Sequence, residues 1–241
     1  MRNKKVAVYT GTRNLYPEMV AAVKSMLIHS DVDEIWLYIE DDEFPYELPD
    51  IVKTKNVSDQ KYFKPDGPNM KSKFTYMALM RATLYKEFPK LDKILALDVD
   101  TLAHADISDL WDIDLGDTYY LAAVPEPARS WRDDIYVNIG VTLYNLEMLR
   151  DGKGDEVVKA LNEGNYTYME QDAFNQKCKG KIMPLPSEYN ATNYTAPTNH
   201  PKIVHYAGMK YDEWKKMPLV DHYFNVPWAD ILSYRKRMYN K

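Results

Sequence analysis

The sequence predicts an α/β fold, a mostly parallel sheet covered by helices on both faces. Three observations lead there. Short apolar runs alternate with helix-patterned segments along most of the chain. Several of those runs are almost uninterrupted, as strands buried on both faces must be. One of them, Ile94-Leu95-Ala96-Leu97, leads straight into Asp98 and Asp100, and open α/β sheets place their ligands outside the carboxyl ends of their strands.

The elements follow in order. "KVAVYT" (5–10) reads as the first strand, and Pro17 to about His29 as a helix with proline in its first turn. "EIWLYIE" (34–40) is the second strand. Residues 41–70, rich in Asp, Glu, Pro and Lys, predict an irregular excursion over the surface. A helix is then expected over 70–90, with Phe74, Met77, Ala78, Tyr85 and Phe88 recurring at helical spacing. Arg81 falls on that same stripe. A guanidinium there is costly unless it meets an anion, although an arginine at the stripe's edge could also snorkel to water. "KILALD" (93–98), "YYLAAVPE" (119–126), "IGVTLYNL" (139–146), "KIMPLP" (181–186) and "KIVHYAG" (202–208) supply the remaining strands.

Bulk properties narrow the function. At 241 residues, 45% hydrophobic, the chain suits one large domain whose core needs no disulfide or metal. Cys178 is the single cysteine, so a reducing cytoplasm is expected and the four Asn-X-Ser/Thr matches (Asn56, Asn165, Asn190, Asn193) are expected to be chance. No apolar run reaches membrane-span length, and the N-terminal stretch is too brief for a signal peptide. A net charge of −5 argues against nucleic acid as the main partner. The closing "SYRKRMYNK" is expected to be a solvated helix end, with weak peripheral contact to an anionic membrane as the alternative.

Asp98 and Asp100 project to one side of an extended segment, too close to stay uncompensated near a low-dielectric core. A divalent cation resolves this, and oxygen ligands suit Mg²⁺ or Mn²⁺. An EF-hand fails because Leu102 and Ala103 stand where it needs an acid or amide and a glycine. A haloacid-dehalogenase-type phosphatase also ends a strand in two aspartates, but with a further residue before its Thr. Here Thr101 follows directly, far from the N-terminus.

The surrounding stretch, "LDKILALDVDTLAHADISDLWDIDLGDTYYLAAVPEP", resembles the donor-site core of family 8 glycosyltransferases. "YVNIGVTLYNL" (136–146), "YMEQDAFNQ" (168–176), "LPSEYN" (185–190) and "VHYAG" (204–208) follow in the family's order, and residues 8–27 fit its first strand and helix. The resemblance covers roughly residues 5–215. It implies a GT-A domain over 1–215 with a helical tail over 216–241, packed on the domain or extending from it. It also implies transfer of a hexose, glucose or galactose, from a UDP-sugar with retention at the anomeric carbon. The acceptor is then a glycan, a lipid-linked saccharide or a protein. A noncatalytic nucleotide-sugar or glycan-binding module is the alternative, with the phosphatase behind it.

Carried over by residue, the resemblance makes Asp98, Asp100 and His205 the metal ligands for Mn²⁺, or Mg²⁺. A histidine ending an apolar run could equally be a satisfied core residue. Thr10 and Tyr16 match the nucleotide-facing loop, with Tyr16 near the base. Arg81 matches a basic group reaching the sugar and the first aspartate, Asn138 and Gly140 contact sugar hydroxyls, and Gly208 lies beside the diphosphate. Two departures stand out. Glu170 replaces the family's Asp before Gln171, and Lys210, which with Lys215 as the alternative is expected to reach the diphosphate, comes one residue early. Gln171 matches the position at the sugar's β-face. Since an amide is a poor nucleophile, front-face attack is favoured, with Glu170 and Asp172 as carboxylate candidates for double displacement.

Overall fold

The computed structural model describes residues 4–72, 74–131 and 134–241. Its centre is a seven-stranded sheet in the order β3-β2-β1-β4-β7-β6-β8. The strands are β1 (Val6–Thr10), β2 (Glu34–Ile39), β3 (Val52–Asn56), β4 (Lys93–Leu97), β6 (Leu121–Pro125), β7 (Val137–Asn145) and β8 (Ile182–Pro184). β5 (Thr101–Ala103) and β9 (Ile203–His205) form a separate antiparallel pair. Within the main sheet only β7 runs against its neighbours, β4 and β6, so the sheet is mostly parallel.

β1 and β7 are buried along their whole lengths, which is why they carry near-continuous apolar sequence. The pleat sorts side chains between two cores. Leu95 and Leu97 of β4 face one, and Ile94 and Ala96 the other. The first core is closed by α1 (Tyr16–Ile28), while the second is closed by α2 (Leu84–Glu87), α3 (Leu146–Met148), α4 (Gly154–Glu163) and α5 (Met169–Lys177). The short α6 (Tyr211–Trp214) leads to α7 (Pro218–Asn225) and α8 (Trp228–Tyr239). Both pack on α1, placing Val220, Tyr223 and Ile231 in the first core. No helix among the described residues is long and apolar enough to cross a membrane.

Three expectations are corrected. The stretch 41–70 contains β3, an edge strand of sequence VKTKN that pairs with β2 alone. Lys53 and Thr54 are exposed, so this strand lacks the apolar signature of its neighbours. Residues 70–90 do not form one amphipathic helix. A 3-10 helix, Tyr76–Thr83, precedes the single turn of α2. It is buried nearly all round, with Leu79, Met80 and Ala82 inside, whereas Phe74 is exposed. Finally, the closing stretch is solvated on one face only, with Lys236, Arg237 and Met238 exposed and Arg235 turned inward. Arg235 is buried and donates to the carbonyls of Leu27, Ser30 and Val32 at 2.7–2.8 Å. It thereby caps the carboxyl end of α1, whose last carbonyls have no partner within the helix.

Candidate active site

β4 stops at Leu97 and the chain turns sharply, Thr101 Oγ1 donating to the Asp98 carbonyl at 2.6 Å. β5 then starts at once and pairs with β9 in a register that sets Thr101 opposite His205. This pairing brings the imidazole to the aspartates. His205 Nε2 lies 3.2 Å from Asp100 Oδ1 and 3.6 Å from Asp98 Oδ2. One ligand atom from each of the three residues falls within 4.8 Å of the others.

A chain of buried amides aims the histidine. His205 Nδ1 sits 2.7 Å from Asn190 Oδ1, which can only accept, so the Nδ1 proton belongs there and Nε2 faces the carboxylates. Asn190 Nδ2 donates to Asn138 Oδ1 at 2.9 Å, and Asn138 Nδ2 donates to Glu126 Oε1 at 2.8 Å. Gly140 makes room for the cluster, since a Cβ there would lie 2.1 Å from His205 Cε1 and 2.9 Å from Asp98 Oδ2. Burial alone would lower the His205 pKa, but Asp100 and then Asp98 reverse this and raise it. Asp100 responds in kind. Burial works against its ionisation, yet His205 holds it below the usual carboxylate range.

Arg81 lies behind the first aspartate at 4% exposure. NH1 is 2.9 Å from Asp98 Oδ1 and donates to the Ile139 carbonyl at 2.9 Å, while NH2 pairs with Glu170. Nε has no partner. The guanidinium on the apolar stripe thus meets two anions, and snorkelling does not occur. Glu170 is itself buried. Burial raises its pKa and Arg81 only partly restores it. Just before it, Met169 adopts a left-handed backbone (φ 45°) at the start of α5.

Gln171 is fully engaged. Its Oε1 accepts from the Ile139 amide at 3.2 Å, and Nε2 donates to Tyr136 OH at 3.1 Å, with Glu126 Oε1 at 3.4 Å. Asp172 accepts from Tyr136 OH at 2.5 Å and from the Tyr168 amide at 2.8 Å. The sequence reading missed Glu126, Tyr136 and the role of Asn190. Glu126 had a usable signal, because like Asp98 it is an acid ending an apolar strand. Asn190 closes the "LPSEYN" motif, but in the sequence it reads equally as a chance glycosylation match.

Toward β1 and β2 the picture is different. Thr10 ends β1, and a cavity of about 310 Å³ lies beyond it, lined by Arg13, Tyr16, Asp41, Asp42, Glu43 and Pro45. Tyr16 is 1% exposed, its ring tilted against Phe44 at 4.9 Å and its hydroxyl donating to Asp41 Oδ2 at 2.9 Å. Its ring faces are therefore covered. Gly208 has φ 75°, in the turn after His205, and Lys210 is exposed at the N-terminus of α6. Of the residues singled out from sequence, Arg81, Asp98, Asp100, Asn138, Gly140, Glu170, Gln171 and His205 form one contiguous network, with Asp172 joined through Tyr136. Thr10, Tyr16, Gly208 and Lys210 stand outside that network.

Residues 7–217 match the model of "Glycosyl transferase family 8". A lipopolysaccharide 1,2-glucosyltransferase of Escherichia coli is 30% identical over 193 residues, 61% of this chain and 56% of that protein. The glycosyltransferase GlyE of Streptococcus pneumoniae is 24% identical over 98% of this chain and 60% of its own length. A Haemophilus influenzae protein described as a putative glycosyltransferase is 28% identical over 53% of this chain and 43% of its own. The chain thus spans about half the length of these relatives. Among solved structures, the galactosyltransferase LgtC, with donor and acceptor sugar analogs, superposes with a TM-score of 0.66 at 20% identity, covering 93% of this chain and 98% of that one. The GlyE structure gives 0.71 at 19% identity, over 98% and 64%. These likenesses establish the GT-A fold. With the matched region running from β1 past α6 and enclosing the Asp98–Asp100–His205 cluster, the chain belongs to glycosyl transferase family 8.

Proposed function

We propose that this chain is a retaining, metal-dependent glycosyltransferase. It moves a hexose, glucose or galactose, from a UDP-sugar to a glycan, a lipid-linked saccharide or a protein. The observation that carries the reading is the cluster of two carboxylates and one imidazole at the carboxyl end of β4, backed by a buried arginine. Two hard oxygen donors and one imidazole fit Mn²⁺, or Mg²⁺, and Gly140 leaves the space free that a side chain would fill. Asp98, Asp100 and His205 would hold that ion, which when bound supplies charge neutralisation to a departing diphosphate.

The chain's own groups account for the rest. Arg81 keeps Asp98 and Glu170 in place and offers positive potential beside the reacting sugar. Asn190 fixes the His205 tautomer that leaves Nε2 as the ligand atom. The hydrogen bonding favours front-face attack over double displacement. Gln171 Oε1 is taken by a backbone amide, Glu170 by Arg81, and Asp172 by Tyr136 and a second amide. None is left as a free nucleophile. In that route the acceptor hydroxyl approaches on the leaving-group side and its proton passes to the departing phosphate oxygen.

The name of the Escherichia coli relative supports glucose and a saccharide acceptor. The single, buried cysteine supports a reducing compartment, which we take to be the cytoplasm. We treat residues 1–215 as the transferase domain and 216–241 as its tail. Exposed Lys236 and Arg237 leave the tail able to touch an anionic membrane weakly.

The test is thermal unfolding with UDP, Mn²⁺, both, and neither. A ligand at about 100 times its Kd adds roughly 2.7 kcal/mol, and each kcal/mol moves the midpoint of a domain this size by about 2–4 °C. A shift that needs UDP and Mn²⁺ together is expected. No joint shift with UDP or with any other nucleoside diphosphate would overturn the reading.

A further inference from the structure

We infer that Glu126 is a positioning residue for the metal site, acting through Asn138 and Asn190 to keep the His205 proton on Nδ1 and leave Nε2 open to a cation. This rests on the transferase reading above and adds to it the group that sets the direction of the amide chain.

The proton of His205 is contested. Asp100 Oδ1 and Asp98 Oδ2 lie 3.2 and 3.6 Å from Nε2 and draw a proton to that nitrogen whenever the cation is away. A proton there blocks the lone pair that faces the cluster. Asn190 Oδ1, 2.7 Å from Nδ1, pulls the other way, but only while the amide keeps its oxygen toward the ring. Turned over, the amide would present Nδ2 to the ring and favour the opposite tautomer.

The next links keep it from turning. Asn190 Nδ2 donates to Asn138 Oδ1 at 2.9 Å, with the Asn138 carbonyl at 3.4 Å. Asn138 Oδ1 also accepts from Gly140 N at 3.0 Å, so that oxygen serves both donors. The Asn138 Nδ2 group must then find an acceptor on its other side, and Glu126 Oε1 supplies it at 2.8 Å. Glu126 Oε2 is ion-paired with Arg129 Nε at 3.1 Å, and a carboxylate so paired accepts and never donates. A chain of amides alone could reverse by turning every member over, but one that ends on a carboxylate cannot. Glu126, Asn138, Asn190 and His205 are all buried, so water is not at hand to replace a lost link. The local fold delivers the acid. A register shift between Ala123 and Val124 of β6 sets Val124 opposite Asn138, and Glu126 follows on the same face of the strand.

The experiment compares the whole chain with Glu126→Met, which deletes the acceptor, and Glu126→Gln, whose amide oxygen can still accept from Asn138. Should Glu126→Met not fold, Glu126→Ala deletes the same acceptor with less bulk. The His205 tautomer is read from the ring nitrogen shifts of the metal-free protein by NMR at alkaline pH, where the imidazole is neutral. Mn²⁺ affinity is read from the EPR signal of the free ion, with and without UDP. Deletion is expected to bring in the Nε2-protonated tautomer and to weaken Mn²⁺ binding about ten-fold. Glu126→Gln is expected to keep the Nδ1 tautomer and an affinity near wild type, a rescue that a role resting on the Arg129 ion pair would not show. A deletion variant that keeps the Nδ1 tautomer alone overturns this inference and leaves the transferase reading standing, as does a Gln variant impaired as deeply as the deletion. A wild-type chain that binds no Mn²⁺ under either condition overturns the metal-dependent reading, and this inference with it.

Discussion

Arg81 and Arg235 are both buried, at 4% and 1% exposure, yet they are satisfied in opposite ways. Arg81 spends its guanidinium on two carboxylates, Asp98 and Glu170, and on one carbonyl. Arg235 donates to three backbone carbonyls. Burial lowers the pKa of each. Around Arg81 the two acids outweigh it and the pKa rises, whereas around Arg235 burial prevails. The difference separates two uses of one side chain. Neutral dipoles hold a cation where shape is the need, while a cation among acids keeps charge in place for chemistry.

The comparison breaks most severely at Arg81. Arg81→Met leaves Glu170 buried without its partner and is expected to cost about 3–5 kcal/mol in urea unfolding, with turnover abolished. Replacing Glu170 by Met in the same chain should return most of the stability and none of the turnover. A double variant that transfers sugar would remove Arg81 from the chemistry.

Arg235→Met strands the carbonyls of Leu27, Ser30 and Val32 and should cost about 2–4 kcal/mol, while kcat and KM of the folded protein stay at wild-type values. A changed KM would mean that the α1 cap reaches the site. Next in size, Asp100→Asn should abolish the joint UDP and Mn²⁺ shift of roughly 2.7 kcal/mol and leave the unliganded midpoint within a few degrees.

The smallest effect concerns pH. In the metal-free fold His205 is raised above its ordinary 6.5. Its protonated form then stabilises that fold below the unfolded value, and the contribution is lost as pH rises through the raised value. Metal binding requires the neutral ring, so Mn²⁺ affinity should climb over the same interval and level off above it. Midpoints with and without Mn²⁺ between about pH 6 and about pH 8 should move apart as pH rises.

Arg81 was legible in the sequence because an arginine in register with Met77 and Phe88 breaks an apolar stripe, even though only Tyr76–Thr83 of that stretch is a 3-10 helix and Phe74 is exposed. Asp98, Asp100 and the core strands were legible for the same kind of local reason. Arg235 was not. It sits in "SYRKRMYNK" among three other cations, and only its contacts with residues some two hundred positions earlier distinguish it. β3 escaped because an edge strand can be polar. Asn190 and Glu126 escaped because their work is done on other side chains, and no spacing within the sequence records that.

The Arg235 clasp also bears on how the molecule is assembled. Its acceptors precede it by 203 to 208 residues, so it is among the most non-local hydrogen bonds in the chain. During synthesis β1, α1 and β2 emerge long before α8, and water must hold those carbonyls in the interval. Contacts of such separation form late, after the intervening loop entropy has been met by other pairings. Amide exchange in α8 should accordingly track opening of the whole fold and not fraying of one helix.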